Sequence, residues 1–235
     1  MRGFALVPIA LALAVALPSL DAAKADKDAG TKAAKDSAPV LMSKTGGGDS
    51  WADVKELQQA VAKGNPKAET QFGEMLLRGD GIPKEEARGV ALLEKAARAG
   101  NSAAAFRIGM LLTKGEAGVA KDPGRALAYF RAAAAGGEAE AFYNIGAAYA
   151  SAIGVKRDYA EALGWLMVAR QRGAQANAEQ ALRAQISSRP EWIAQGERRA
   201  KEIETEFAGK KVTDFLPPVA PLNQPVDSLK PAASP

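Results

Sequence analysis

The chain has 235 residues, with 31 Lys+Arg against 27 Asp+Glu, a net charge of +4, and neither His nor Cys. Those two absences exclude disulfides, thiolate nucleophiles, Cys- or His-ligated metal centres and every Ser-His-Asp triad. Aliphatic and small apolar residues dominate, with only 6% aromatic residues, and the mild positive charge is too small to point to nucleic acid.

Residues 1–25 carry the pattern of a secretory signal peptide. Arg2 supplies the positive start, and Phe4 to Leu17 is an apolar run closed by Pro18. That run is shorter than the roughly 20 residues a bilayer span needs. Ala23-Lys24-Ala25 offers small residues at the spacing of a cleavage site, so cleavage is expected after Ala25 or after Ala22. An exported chain without Cys points to the bacterial periplasm or the cell exterior. Residues 26–50 are a Lys/Asp/Ala/Ser mixture ending in Gly46-Gly47-Gly48, and they predict a disordered linker.

From Trp51 the chain reads as helices, with a first one over Trp51 to Lys63 that ends at Gly64. Three segments then align: Ala68 to Gly100, Ala104 to Gly137 and Ala141 to Gly173. Each has Gly five residues in (Gly73, Gly109, Gly146), preceded by a bulky residue (Phe72, Ile108, Ile145). Each continues into a Gly-rich turn and a second apolar stretch holding Gly89, Ala126 or Ala162 and then Leu92, Tyr129 or Trp165. Apolar spacing of three and four makes each half an amphipathic helix, and the small residues let the two helices approach closely. Pro83 and Pro123 suit the entry to the second helix, and Asp122 and Asp158 suit its cap.

These residues resemble the Sel-one-like repeat, one of the tetratricopeptide-type helical repeats. The third copy carries the pattern best, in Ala141, Ile145, Gly146, Tyr149, Gly154, Val155, Asp158, Ala162, Trp165, Ala169 and Gly173, with Ala152 in place of the first turn glycine. The first copy departs at Leu76, Glu85, Gly89 and Leu92, and the second carries one extra turn residue. The resemblance implies an all-α, right-handed α-solenoid of about three helix-turn-helix repeats, placed with its flanking cap helices at 51–208. Ala174 to Ile186 continues as the first helix of a degenerate fourth unit. Ser188 before Pro190 starts a last helix that carries Trp192, Ile193, Gly196, Ala200, Ile203 and Phe207 at helical spacing. Residues 209–235, with repeated Pro from Pro217 onward, predict a Pro-rich disordered tail.

Catalytic chemistry finds little support. Lys44-Thr45-Gly46 spells a penicillin-binding triplet, yet its companion motifs are missing and it lies in the linker. Glu138, Glu140, Glu179, Glu202, Glu204 and Glu206 are mixed with Lys and Arg, as on a solvated helix face. Arg198-Arg199 and Lys210-Lys211 are too few for a nucleic-acid patch. The expectation is therefore a non-catalytic protein with no cofactor, no metal and no nucleic-acid partner. It would meet the membrane only during export.

By the same resemblance, the first helices line a concave groove that takes a protein or peptide. Its residues would be Thr70, Glu74, Leu77 and Arg78 in the first copy, then Phe106, Met110, Thr113 and Lys114, then Glu140, Tyr143, Ala147 and Ser151. Phe106, Met110 and Tyr143 either floor this groove or pack between stacked helices, since a one-residue change of helix phase exchanges the two roles. Trp165 and Tyr149 are expected in the core. The alternative to a protein-binding scaffold is a cell-wall protein that binds or hydrolyses peptidoglycan glycan.

Overall fold

A computed structural model describes residues 53–175, 177–218 and 222. The expected signal peptide, the linker and most of the tail lie outside the described residues. Among the described residues there are nine α-helices, one 3-10 turn and no strand.

The first helix, α1, spans Val54–Ala62, and Asp53 caps it by accepting from the Glu56 amide at 2.7 Å. It is shorter than expected and buries Leu57 against α2. The three repeats are then three helix pairs: α2 (Pro66–Arg78) with α3 (Glu86–Arg98), α4 (Ser102–Lys114) with α5 (Pro123–Ala135), and α6 (Ala139–Ser151) with α7 (Tyr159–Gln171). Asn65, Asn101, Asp122 and Asp158 cap α2, α4, α5 and α7 through side-chain oxygens, which satisfies donors that a helix start leaves open. Neighbours in sequence are neighbours in space, as in a solenoid.

The expected close approach holds within each pair. A methyl group on Gly73 would lie 2.9 Å from the Gly89 carbonyl oxygen, and one on Gly89 would lie 2.8 Å from that of Gly73. At Gly109 the neighbour is the Phe130 ring, and at Gly146 it is Leu166. A larger residue at any of these points would push the helices apart.

The C-terminal part differs from expectation in three ways. Helix α8 (Asn177–Gln185) is shorter than Ala174 to Ile186, and it is α9 (Pro190–Phe207) that makes the main contact to α7. Gly164 and Gly196 permit that contact, since a methyl on Gly196 would lie 2.9 Å from Leu163. Arg189, not Ser188, occupies the N-cap of α9 and makes no capping hydrogen bond there. The third difference is the chain after residue 208. Gly209 turns it back, a 3-10 turn forms over Val212–Asp214, and Val212 and Leu222 are buried in the main core. The tail therefore begins with an ordered strap. Its sparse anchors are separated by polar residues and Pro, so no periodicity marks them.

Candidate functional site

The residues expected in a groove lie on α2, α4 and α6, and most of them are half-buried or exposed. Leu77 is the exception, at 6% exposure. It stands one turn after Gly73 and packs on Gly89, where a methyl would meet it at 3.0 Å. Leu77 is a core residue of the first repeat and not part of the surface. The expectation failed there because the corresponding position in the second copy, Thr113, is half-exposed.

The polar members are held locally. The Thr70 hydroxyl donates to the Pro66 carbonyl and the Thr113 hydroxyl to the Gly109 carbonyl, each at 2.8 Å. Glu74 lies 3.6 Å from Arg78 and 2.8 Å from Arg107 of α4, which ties the first two repeats together. Arg107 belongs to this surface and was missed by sequence reasoning, because nothing in the pattern shows that its partner lies one repeat earlier. Lys114 pairs with Glu116 at 3.6 Å, Glu140 is exposed, and Ala147 and Ser151 are half-buried.

Phe106, Met110 and Tyr143 are half-buried and pack against the main core. The Phe106 ring lies 5.7 Å from that of Phe130 on the paired helix. Each of these residues is thus partly packed and partly open to solvent. Trp165 is fully buried as expected, with its indole N–H donating to Glu161 at 3.0 Å. Tyr149 is half-buried rather than buried.

Several carboxylates are engaged. Glu138 accepts from Ser102 at 2.7 Å across a repeat boundary. Glu179, 5% exposed, is gripped by Arg170 and Arg183. Glu69 is 1% exposed and lies 2.5 Å from Lys95. A cleft of about 350 Å³ between the start of α7 and α9 is lined by Asp158, Glu161, Gln195, Arg198, Arg199 and Glu202. Its acids already have partners: Asp158 caps α7, and Glu161 and Glu202 pair with Arg199 at 2.8 and 3.3 Å. Burial would lower the Arg199 pKa, but Glu161 and Glu206 outweigh it and hold the guanidinium charged. Among the described residues no group of three acidic side chains could hold a metal ion, and no helix is long and apolar enough to cross a membrane.

The second helices are covered in part, α7 by α9, and α5 and α3 by the chain after residue 208. Val212 seats beside Gly136 at the end of α5, 3.0 Å from where a methyl on that glycine would lie. The Phe215 ring stacks on Phe207 at 4.7 Å, with the planes 5° apart. Arg131 of α5 stands over the rings of Trp165, Phe207 and Phe215 at 5.5, 5.7 and 5.5 Å, and pairs with Glu206. Its charge is favoured over the ring faces.

The helix pairs, their small-residue contacts and their turns define a helical-repeat protein of the all-α class. The Sel1 repeat family model matches residues 66–101, 102–138 and 139–173, one match per helix pair. The segment 66–173 is a run of three Sel1 repeats, and the fold is an all-α repeat solenoid. Among solved structures, a Sel1 repeat protein from Oxalobacter formigenes is 27% identical, with a TM-score of 0.51. That match covers 56% of this chain and 97% of the other. A protective antigen of uropathogenic Escherichia coli strains, with an SLR fold, is 23% identical with a TM-score of 0.57. It matches 77% of this chain, which spans only 36% of that antigen, so the likeness is one of fold. No curated protein matches the sequence. Sel1 repeat proteins generally serve as scaffolds that bind protein partners.

Proposed function

We propose that this protein is a non-catalytic periplasmic adaptor that binds a protein or peptide on the face formed by α2, α4 and α6. One observation carries the reading. Phe106, Met110 and Tyr143 are half-open on first helices, while α9 packs along α7 and the strap lies against parts of α5 and α3. Partly exposed aromatic and Met side chains beside charged Arg78, Lys114 and Glu140 suit an interface with an apolar centre and a polar rim. Export rests on the pattern of residues 1–25, and the absence of an enzymatic role rests on the lack of His and Cys and on the pairing of Glu161, Glu179, Glu202 and Glu206 with arginines.

The test is a comparison of two immobilised proteins, the mature chain and a Phe106→Ala, Met110→Ala, Tyr143→Ala variant with unchanged helicity. Each is exposed to periplasmic extract, and the retained proteins are identified by mass spectrometry. A protein held by the first and lost by the second is the expected result. Equal retention moves the site off this face, and retention on peptidoglycan alone replaces the protein partner with glycan. Turnover of any substrate that survives purification and is lost on carboxylate substitution overturns the non-catalytic reading.

A further inference from the structure

The strap behaves as a bound ligand that happens to be covalently attached. After Gly209 it is held to the helices by side chains: Val212 beside Gly136 and Ser102, Phe215 on Phe207 and under Arg131, and Leu216 and Leu222 on the main core. Its backbone hydrogen bonds, among the described residues, are local ones such as Asp214 to Lys211 and Phe215 to Val212. A strand added to a sheet is tied in through its backbone; a segment laid in a groove is held through spaced side-chain anchors. The receiving surface exists without the strap, since α3, α5, α7 and α9 build it. The Trp165–Phe207–Phe142 ring cluster is packed from those helices and α6.

We propose that this second-helix face is a peptide-binding site. Its own C-terminal segment fills it here, and it accepts in trans a segment of the same pattern, a 3-10 turn that runs into an extended Leu-Pro-Pro stretch. That pattern is an aliphatic residue, an aromatic three positions later, then Leu-Pro-Pro, as in Val212, Phe215, Leu216, Pro217 and Pro218. The aliphatic anchor sits at the end of α5 beside Gly136, which Ser102 of α4 also approaches closely. The aromatic anchor takes the stack between Phe207 and Arg131. The prolines keep the segment extended and lower the ordering cost. This site is separate from the α2/α4/α6 face, so either can fail without the other.

A tethered segment acts at an effective concentration of the order of millimolar. A free peptide therefore competes poorly against the intact strap and well against a disarmed one. The experiment uses the full chain and a fluorescein-labelled peptide of residues 209–224, followed by anisotropy. With a Val212→Asp, Phe215→Ala variant, saturable binding is expected, and at least tenfold weaker binding to wild type. The same peptide carrying Phe215→Ala should lose at least tenfold on the variant. Circular dichroism checks that the variant keeps its helices. As a second route that leaves folding untouched, a specific protease site inserted between Ala208 and Gly209 lets the strap be cut after folding. The severed segment should then exchange with the labelled peptide. The proposal is overturned if the helical variant binds no peptide, if wild type and variant bind it equally, or if the cut strap neither leaves nor exchanges.

Discussion

At the scale of single residues, the turn between α6 and α7 places a non-glycine residue in the left-handed region. Ala152 holds φ 59° at the C-cap of α6, the position that Gly79 and Gly115 fill in the other two repeats. A left-handed conformation costs a non-glycine residue roughly 1 kcal/mol. Two residues on, Gly154 combines φ +73° with a close approach: a methyl there would lie 2.6 Å from the Pro123 carbonyl. The two positions should respond in opposite directions. Ala152→Gly is expected to raise stability by about 0.5–1 kcal/mol, and Gly154→Ala to lower it by about 2–4 kcal/mol, both read from urea midpoints. The buried tyrosine gives a second prediction. Burial, then Glu94, pushes the Tyr129 pKa above its ordinary 10.0, against the opposing charges of Arg98 and Arg125. Burial and Glu161 do the same to Tyr149. In the unfolded chain these phenols lose their protons near pH 10, while the folded protein still holds them. The unfolded state then binds fewer protons, so stability is whole below pH 10 and falls as pH rises through the folded values. Denaturant midpoints measured between pH 8 and 11 should fall along that limb, and a Tyr129→Phe variant should fall less steeply.

At the scale of elements, α9 is fixed by one ring more than by its length. Phe207 lies 5.5 Å from Phe142, 5.6 Å from Trp165 and 4.7 Å from Phe215, so it joins α6, α7, α9 and the strap. Phe207→Ala should cost about 3–5 kcal/mol, the range for emptying a buried aromatic site. Trp192→Ala on the same helix should cost less, because Trp192 is half-buried at the edge of the small cluster of Leu163, Leu166, Leu182 and Ile186, with Tyr159 at 5.8 Å and Arg189 over its ring. Thermal unfolding of the two variants checks the ranking. The same elements show what sequence made legible. Gly73, Gly109 and Gly146 recur because helices that touch there leave no room for a larger side chain, and that constraint writes itself into the spacing. Glu74–Arg107 and the strap do not recur. The first depends on which helices stack, and the second on anchors at Val212, Phe215 and Leu222 that are too few to sustain a helical or strand period. Leu77 shows the limit of reasoning by equivalent positions, since its counterpart in the second repeat faces differently.

At the scale of the whole described chain, stability should be graded along the repeats rather than shared evenly. A solenoid is held by contacts between neighbours, so its ends have one neighbour fewer. The core follows this division. Its main cluster runs from Leu77 on α2 through α3 to α7 and takes in α9 and the strap, while Leu57, Phe72 and Met75 form a separate small cluster between α1 and α2. Leu57 is the one buried residue of α1, and α8 buries Glu179 and Leu182. Both helices are 9 residues long, too short to persist without packing. The other end is closed differently, because α9 lies along α7 and the strap carries that contact back over α5 and α3. Native-state hydrogen exchange should therefore show α1 and α8 opening most readily, α2 next, and α4 to α7 only near the global unfolding energy. A Phe215→Ala substitution should speed exchange in the strap and the second half of α9 while leaving α2 unchanged. Uniform protection from α1 to α9 would mean that the whole solenoid opens as one unit, and that its hydrophobic clusters are not energetically separate.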